Sequence, residues 1–230
     1  MSPEKKHSLI SRLEVYAKME SMMEVRKGTT TLGIVCKDGI LLAADRRVTA
    51  GYLIAHKKTK KVFPVSDHMA ITTAGLVSDI QLFTKIIRAQ IMLLKMRKGK
   101  EPGVQEAASL LANLTYSNIR RPSMIPGIVG FLFGGYDRTG YKLYEIALDG
   151  SVMEIEDYGS DGSGSSVAIG VLETLYQKDM TVEQAVDVAV KALSAAMSRD
   201  VATGNGMDIL VINEKGTRYA LEREIKTIAK

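Results

Sequence analysis

The stretch Lys27-Gly28-Thr29-Thr30-Thr31-Leu32-Gly33-Ile34-Val35-Cys36-Lys37-Asp38-Gly39-Ile40-Leu41-Leu42-Ala43-Ala44-Asp45 holds a fold signal and a chemical one together. Two apolar runs, residues 29–36 and 40–45, flank Lys37-Asp38-Gly39. An Asp-Gly step between such runs predicts a β-hairpin. The first run begins at the Gly28-Thr29 junction. A cut there makes Thr29 a free N-terminus, with a hydroxyl and a primary amine on one residue: a nucleophile with a base built in.

Outward from this hairpin the pattern repeats. A second strand pair, residues 61–65 and 69–74, surrounds Ser66-Asp67-His68. Helical spacing follows at Ile80, Phe83, Ile87, Ile91 and Leu94, opened by Ser78-Asp79 and stopped near Lys98-Gly99. Val104, Ala107, Ala108, Leu111 and Leu114 mark a second helix that ends before Pro122. Strands return at 128–136, 141–148 and 152–156, with turns at Asp137-Arg138-Thr139-Gly140 and Asp149-Gly150. The Gly/Ser run 159–166 reads as a loop leading to a third helix over 167–177. Thr181 and Gln184 form a capping-box pattern ahead of a fourth, whose apolar face runs from Val182 to Met197. Strands 208–213 and 217–222 close the chain. The order is strands, two helices, strands, two helices, strands. It predicts an α+β protein, a four-layer αββα sandwich of two antiparallel sheets with helices on both outer faces. A parallel βαβ sheet fits poorly, because strands and helices do not alternate singly.

The 230 residues fit one large domain, and 46% apolar with 25% charged residues is an ordinary globular composition. Residues 1–28 stand apart: mixed in charge, Met-rich, without alternation, and read either as a disordered or marginally helical leader or as a removable propeptide ahead of a domain over 29–230. They carry six Lys/Arg and four Glu, +2 of the net +5, leaving +3 for the remainder. No basic stripe results, which argues against nucleic acid as a partner. Cys36 is the only cysteine, so no internal disulfide forms, in keeping with a reducing cytoplasm. The N-terminus lacks the apolar core of a signal peptide. The longest apolar stretch, 125–135, is interrupted by Pro126, Gly127 and Gly130 and is shorter than the ~20 residues a bilayer requires. The expectation is a cytoplasmic protein without membrane contact. His7, His56 and His68 lack ligand spacing, and the Gly/Ser run lacks the Lys of a phosphate loop, so neither metal nor cofactor is expected.

The chemistry is spaced along the first half. Asp45-Arg46-Arg47 comes sixteen residues after Thr29, Lys61 sixteen further on, and Gly75 at a strand-to-helix turn. A Thr hydroxyl needs a base nearby. A neighbouring ammonium favours loss of the hydroxyl proton and lowers the pKa of an adjacent amine. A carboxylate holds that ammonium in place. An unobstructed N–H at a Gly turn suits a developing oxyanion.

Gly28-Thr29-Thr30-Thr31, Asp45-Arg46-Arg47, Lys60-Lys61, Ala74-Gly75-Leu76, Gly162-Ser163-Gly164-Ser165 and Ser198-Arg199-Asp200, in register over nearly all of 29–230, resemble the proteasome β-subunit family of archaeal type. The resemblance implies the N-terminal nucleophile hydrolase fold and a threonine endopeptidase that frees Thr29 by cutting its own Gly28-Thr29 bond. It implies that Thr29 is the nucleophile, Lys61 the catalytic lysine, Asp45 its acidic partner and Gly75 the oxyanion donor. Ser163 and Asp200 would bond around the freed amine, joined by Thr203 where the family usually has Ser. Thr keeps the hydroxyl, adds a methyl and restricts χ1. By family position Val48, Thr49, Thr59, Phe63, Thr73 and Val77 would line the substrate pocket. They are apolar or small, favouring cleavage after apolar residues, with Thr73 adding a polar contact. The resemblance further implies partners: other β subunits in stacked heptameric rings, capping α-subunit rings, and unfolded proteins delivered by an ATPase regulator. The sequence leaves two general bases open, the Thr29 amine and Lys61. It also leaves two other functions open, an inactive structural subunit of the same ring and a hydrolase of small amides.

Overall fold

The computed structural model describes residues 28–123 and 127–224; apart from Gly28, the expected propeptide lies outside the described residues. Strands β1 (Thr30–Cys36) and β2 (Gly39–Asp45) form the hairpin read from the opening stretch. A short pair, β3 (Val48–Ala50) and β4 (Leu53–His56), follows. β5 (Val62–Ser66) and β6 (Met69–Gly75) lead into helices α1 (Val77–Lys98) and α2 (Val104–Arg120). Then come β7 (Val129–Asp137), β8 (Gly140–Ile146), β9 (Val152–Ile155) and β10 (Tyr158–Gly162). Helices α3 (Ser165–Leu175) and α4 (Val182–Arg199) precede β11 (Gly206–Asn213) and β12 (Gly216–Glu224).

Two antiparallel five-stranded sheets result, β10-β1-β2-β11-β12 and β5-β6-β7-β8-β9. Strand β2 shows how they stack, because all seven of its residues are buried. Leu41 and Ala43 face a cluster with Ala185, Ala189 and Leu193 of α4. Ile40, Leu42 and Ala44 face the other way, onto Val62, Ala70, Leu132 and Leu143 of the second sheet. Period-two alternation thus divides an unbroken apolar run between two cores. The far side of the second sheet is covered by Ile80, Phe83 and Ile87 of α1 and Ala107, Ala108 and Leu111 of α2. The layers run α3/α4, sheet, sheet, α1/α2, the αββα order expected. Thr181 caps α4 with the full reciprocal capping box. No described helix is long and apolar enough to cross a membrane.

Two expectations need correction. Residues 159–162, read as loop, belong to edge strand β10, whose Gly162 pairs with Thr30, and the helix beyond begins at Ser165 rather than 167. The β3-β4 pair was not expected at all. Tyr52 in its turn and Leu53 at the start of β4 are 89% and 71% exposed, and all four residues of β4 are exposed, so no inside-outside alternation marks the pair in the sequence.

Candidate active site

The β1-β2 register places Thr31 opposite Ala44, so the start of one strand lies beside the end of the other. The Thr30 N–H donates to Asp45 Oδ1 at 3.0 Å. Lys61, immediately before β5, has its carbonyl pinned by the Thr73 N–H at 2.9 Å and the Thr73 hydroxyl at 3.3 Å. Its side chain reaches across to the first sheet, where Nζ donates to Asp45 Oδ1 at 2.8 Å and to the Gly28 carbonyl oxygen at 3.0 Å. The Thr29 hydroxyl donates to that same oxygen at 2.7 Å. Hydroxyl and ammonium therefore converge on the carbonyl of the Gly28-Thr29 bond.

The ion pair is dry, with side-chain exposure of 2% for Lys61 and 0% for Asp45. Burial pushes the Lys61 ammonium below its ordinary value of 10.5, and the Asp45 carboxylate pulls against that fall. Asp45 bears this charge because its second oxygen is also occupied: Oδ2 accepts the N–H groups of Arg47 and Gly204, each at 2.9 Å. Behind it, Arg46 forks onto Asp208, both nearly buried.

A second network approaches the other side of Thr29. The Thr29 N–H donates to Ser163 Oγ at 3.3 Å. Ser163 and Thr203 each donate their hydroxyl to Asp200 Oδ2. With its proton so committed, Thr203 Oγ1 accepts from the Thr30 hydroxyl at 2.7 Å. The extra methyl of Thr203 is accommodated in a fully buried site. Asp200 caps the C-terminus of α4 through its N–H to Ala196 and holds the following turn by accepting the Ala202 N–H at 3.1 Å.

Thr29, Asp45, Lys61, Ser163, Asp200 and Thr203 are thus joined by hydrogen bonds, although they come from distant parts of the chain. Gly75 ends β6, two residues beyond the Thr73 that anchors Lys61, with φ of +156°. A Cβ there would lie 2.0 Å from the Ile128 carbonyl oxygen, so only glycine fits. Among the expected pocket residues, Val48, Thr49, Thr59, Phe63 and Val77 are half-buried. Thr49 Oγ1 sits beside Gly28, 2.4 Å from where a Gly28 Cβ would stand. Thr73 is fully buried and its hydroxyl is spent on Lys61, so it supports the lysine from behind instead of offering a free polar group. Thr30, Arg47 and the Gly204 N–H are contributors that sequence reasoning missed. Thr30 sits inside the quoted Thr triplet and Arg47 beside Asp45, but a backbone donor such as Gly204 leaves no side-chain signal. Among the described residues no three His, Cys, Asp or Glu gather as metal ligands.

Comparison with known proteins identifies the family of the chain. The family model for proteasome subunits matches residues 25–212. The chain is 43% identical over 205 residues to a proteasome subunit beta of Ferroglobus placidus, covering 89% of this chain and 96% of that one. It is 43% identical to proteasome subunit beta 2 of Aeropyrum pernix, covering 84% and 85%. It is 42% identical to a proteasome subunit beta of Methanothermobacter thermautotrophicus, covering 87% and 93%.

Proposed function

The chain belongs to the proteasome subunit family, and from that premise we propose that it is a threonine endopeptidase, activated by cutting its own Gly28-Thr29 bond. The observation that carries the proposal is the shared carbonyl: Lys61 Nζ at 3.0 Å and Thr29 Oγ1 at 2.7 Å from the Gly28 oxygen.

An ammonium on a carbonyl oxygen draws electron density from the carbon and stabilises negative charge as it develops. The Thr29 oxygen, already beside that group, attacks the Gly28 carbon. The Thr29 nitrogen leaves with the hydroxyl proton, converting the amide into an ester. Water hydrolyses the ester, giving a carboxyl group on Gly28 and a free amine on Thr29. In the shortened chain the same oxygen attacks the carbonyl of a substrate peptide. The oxyanion is held at the Gly75 N–H, the leaving peptide takes a proton, and water releases the acyl group from Thr29. Lys61, held by Asp45 with its ammonium destabilised by burial, tunes the hydroxyl. Ser163, Asp200 and Thr203 orient the freed amine.

The half-buried residues Val48, Thr49, Thr59, Phe63 and Val77 favour an apolar side chain before the cleaved bond. Assembly into rings with like subunits and with α-subunit rings, delivery of unfolded protein by an ATPase regulator, and a cytoplasmic location belong to the same proposal and rest on family membership. The test is Thr29→Ala in the full chain, expressed with its ring partners. Mass spectrometry is expected to find residues 1–28 retained, and hydrolysis of an apolar fluorogenic peptide is expected to vanish. Release of residues 1–28 from the purified variant, or peptide turnover at the wild-type rate, overturns the proposal.

A further inference from the structure

Arg47 has no role in the chemistry above, yet it touches both halves of the site. Its backbone N–H is one of the four donors on Asp45. Its side chain turns toward the segment after α4, which carries Asp200 and Thr203. Nε donates to Asn205 Oδ1 at 2.8 Å and one terminal nitrogen donates to the Val201 carbonyl at 2.7 Å. The guanidinium packs against Gly204: a Cβ there would fall 2.4 Å from a terminal nitrogen and 2.6 Å from the central carbon. Gly204 is glycine because the arginine occupies that space.

The gripped segment is one that gains from being held. Gly204 and Asn205 have φ of +157° and +63°, conformations that most side chains resist. The segment is nonetheless stitched to the end of β2, since Gly204 N–H donates to Asp45 and Arg46 N–H donates to the Gly204 carbonyl at 3.2 Å. Residues 201–205 thus connect Asp200, on the amine side of Thr29, to Asp45, on the lysine side. Arg47 closes that connection with bonds to both ends of the segment. A guanidinium presents donors in a fixed planar fork, which a lysine ammonium lacks.

We propose that Arg47 is a positioning residue for the Thr29 site: its guanidinium clamps residues 201–205 against the end of β2, so that Asp200 and Thr203 keep their places beside Ser163 and Thr29. The assignment of a task to this geometry rests on the peptidase reading, but the clamp itself is measurable without turnover. The charged groups acting on Lys61 are Asp45, Asp200 and Arg47, and the last of these repels it. Loss of the Arg47 charge therefore raises the pH at which Lys61 titrates, whereas lysine in its place leaves it near the wild-type position.

The experiment compares wild type, Arg47→Lys, Arg47→Met and Asn205→Ala in the assembled protein. It uses hydrogen exchange over 201–205 and steady-state hydrolysis of an apolar fluorogenic peptide across pH. Expected are exchange at least tenfold faster in that segment for both Arg47 variants, and kcat lowered at least tenfold with KM within twofold of wild type. The pH limb set by Lys61 is expected to move upward in Arg47→Met only. Asn205→Ala, which removes the acceptor of Arg47 Nε and also places alanine at a positive φ, is expected to speed exchange in the same segment. Wild-type exchange in Arg47→Lys overturns the clamp, and fast exchange with wild-type kcat overturns its catalytic relevance. If Arg47→Met does not assemble, Arg47→Lys and Asn205→Ala decide the matter alone. A wild type that cleaves no peptide sinks the peptidase reading instead, while exchange still reports on the clamp.

Discussion

Asp45→Asn is the most informative single change in the pair that supports Lys61. The native carboxylate receives four donors: Lys61 and Thr30 on one oxygen, Arg47 and Gly204 on the other. An asparagine amide offers one oxygen and one NH2. Whichever way it turns, two donors face the NH2 and lose their acceptor, at about 1–3 kcal/mol for each buried unpaired group. If the oxygen keeps Lys61, the Arg47 and Gly204 N–H groups are orphaned and the 201–205 segment loosens. If it keeps those, the buried ammonium loses its anionic partner and is left with the neutral Gly28 carbonyl. Removing one member of a buried ion pair costs about 3–5 kcal/mol, a figure that already contains most of these losses. For a chain of this size that is roughly 6–20 °C in midpoint, at about 2–4 °C per kcal/mol. Midpoints are best compared in a Thr29→Ala background, where both chains keep residues 1–28. Lys61 already titrates below its ordinary value because of burial, and losing the carboxylate that pulls it up drives it further down. A neutral amine on the Gly28 carbonyl polarises it less, and a loss of ~3 kcal/mol at the transition state is about a hundredfold in rate. Self-cleavage of Asp45→Asn, followed by intact mass over time, is therefore expected to be at least about a hundredfold slower than wild type. Release of residues 1–28 at the wild-type rate, with an unchanged midpoint, refutes the dependence of the site on this pair.

The remaining expectations are narrower. Lys61→Met blocks release of residues 1–28, whereas Lys60→Met leaves it unchanged and alters stability by less than about 1 kcal/mol, because Lys60 is 48% exposed and pairs with a half-exposed Glu222; N-terminal sequencing of both variants checks this. Gly75→Ala sets a methyl group 2.0 Å from the Ile128 oxygen at φ of +156°; it is expected to cost about 3 kcal/mol or more by the sum of backbone strain and overpacking, read by thermal denaturation, and a wild-type midpoint refutes it. Cys36 is buried and its thiol is pushed up to about 12 from an ordinary 9.0; at pH 8 its alkylation by iodoacetamide is expected to be at least about a thousandfold slower in native than in unfolded protein, since the thiolate is the reactive form. Above pH 9.0 the unfolded chain loses the Cys36 proton that the folded chain keeps until about 12, so this group lowers stability as pH rises through that window.

What was legible in the sequence follows what each residue spends its side chain on. The β1-β2 hairpin was readable because its Asp-Gly turn and its apolar residues serve folding alone. Strand β10 was not, because its composition answers to the site. Cβ atoms on Gly162 and Gly164 would fall 2.0 Å from the Thr29 carbonyl oxygen and 2.1 Å from the Thr30 hydroxyl. The backbone there must approach Thr29 and Thr30 closely, and glycine does so at the expense of strand propensity. Thr29, Asp45 and Lys61 stood out by even spacing within the first third of the chain. Ser163, Asp200 and Thr203 lie more than a hundred residues away and came from resemblance, since nothing local in 159–166 or 200–203 tells a hydroxyl bound for Thr29 from one bound for water. Arg47 sat in the open as one of a charged triplet, but its partners are a carbonyl and an Asn 154 and 158 residues distant.

The basic run over residues 56–61 shows where such reading stops. Composition treats its four lysines alike, and solvated charge is the ordinary expectation for all of them. The fold separates them within the irregular segment that leads into β5. Lys57, Lys58 and Lys60 are exposed, and Lys60 lies over the Tyr219 ring and against Glu222 at the sheet edge. Lys61 takes the opposite side of the same chain and enters the space between the sheets, where only Asp45 makes its charge tolerable. The fold that buries the hairpin on both faces thus also admits one lysine of this run to a dry position beside the Gly28 carbonyl, where burial lowers its pKa.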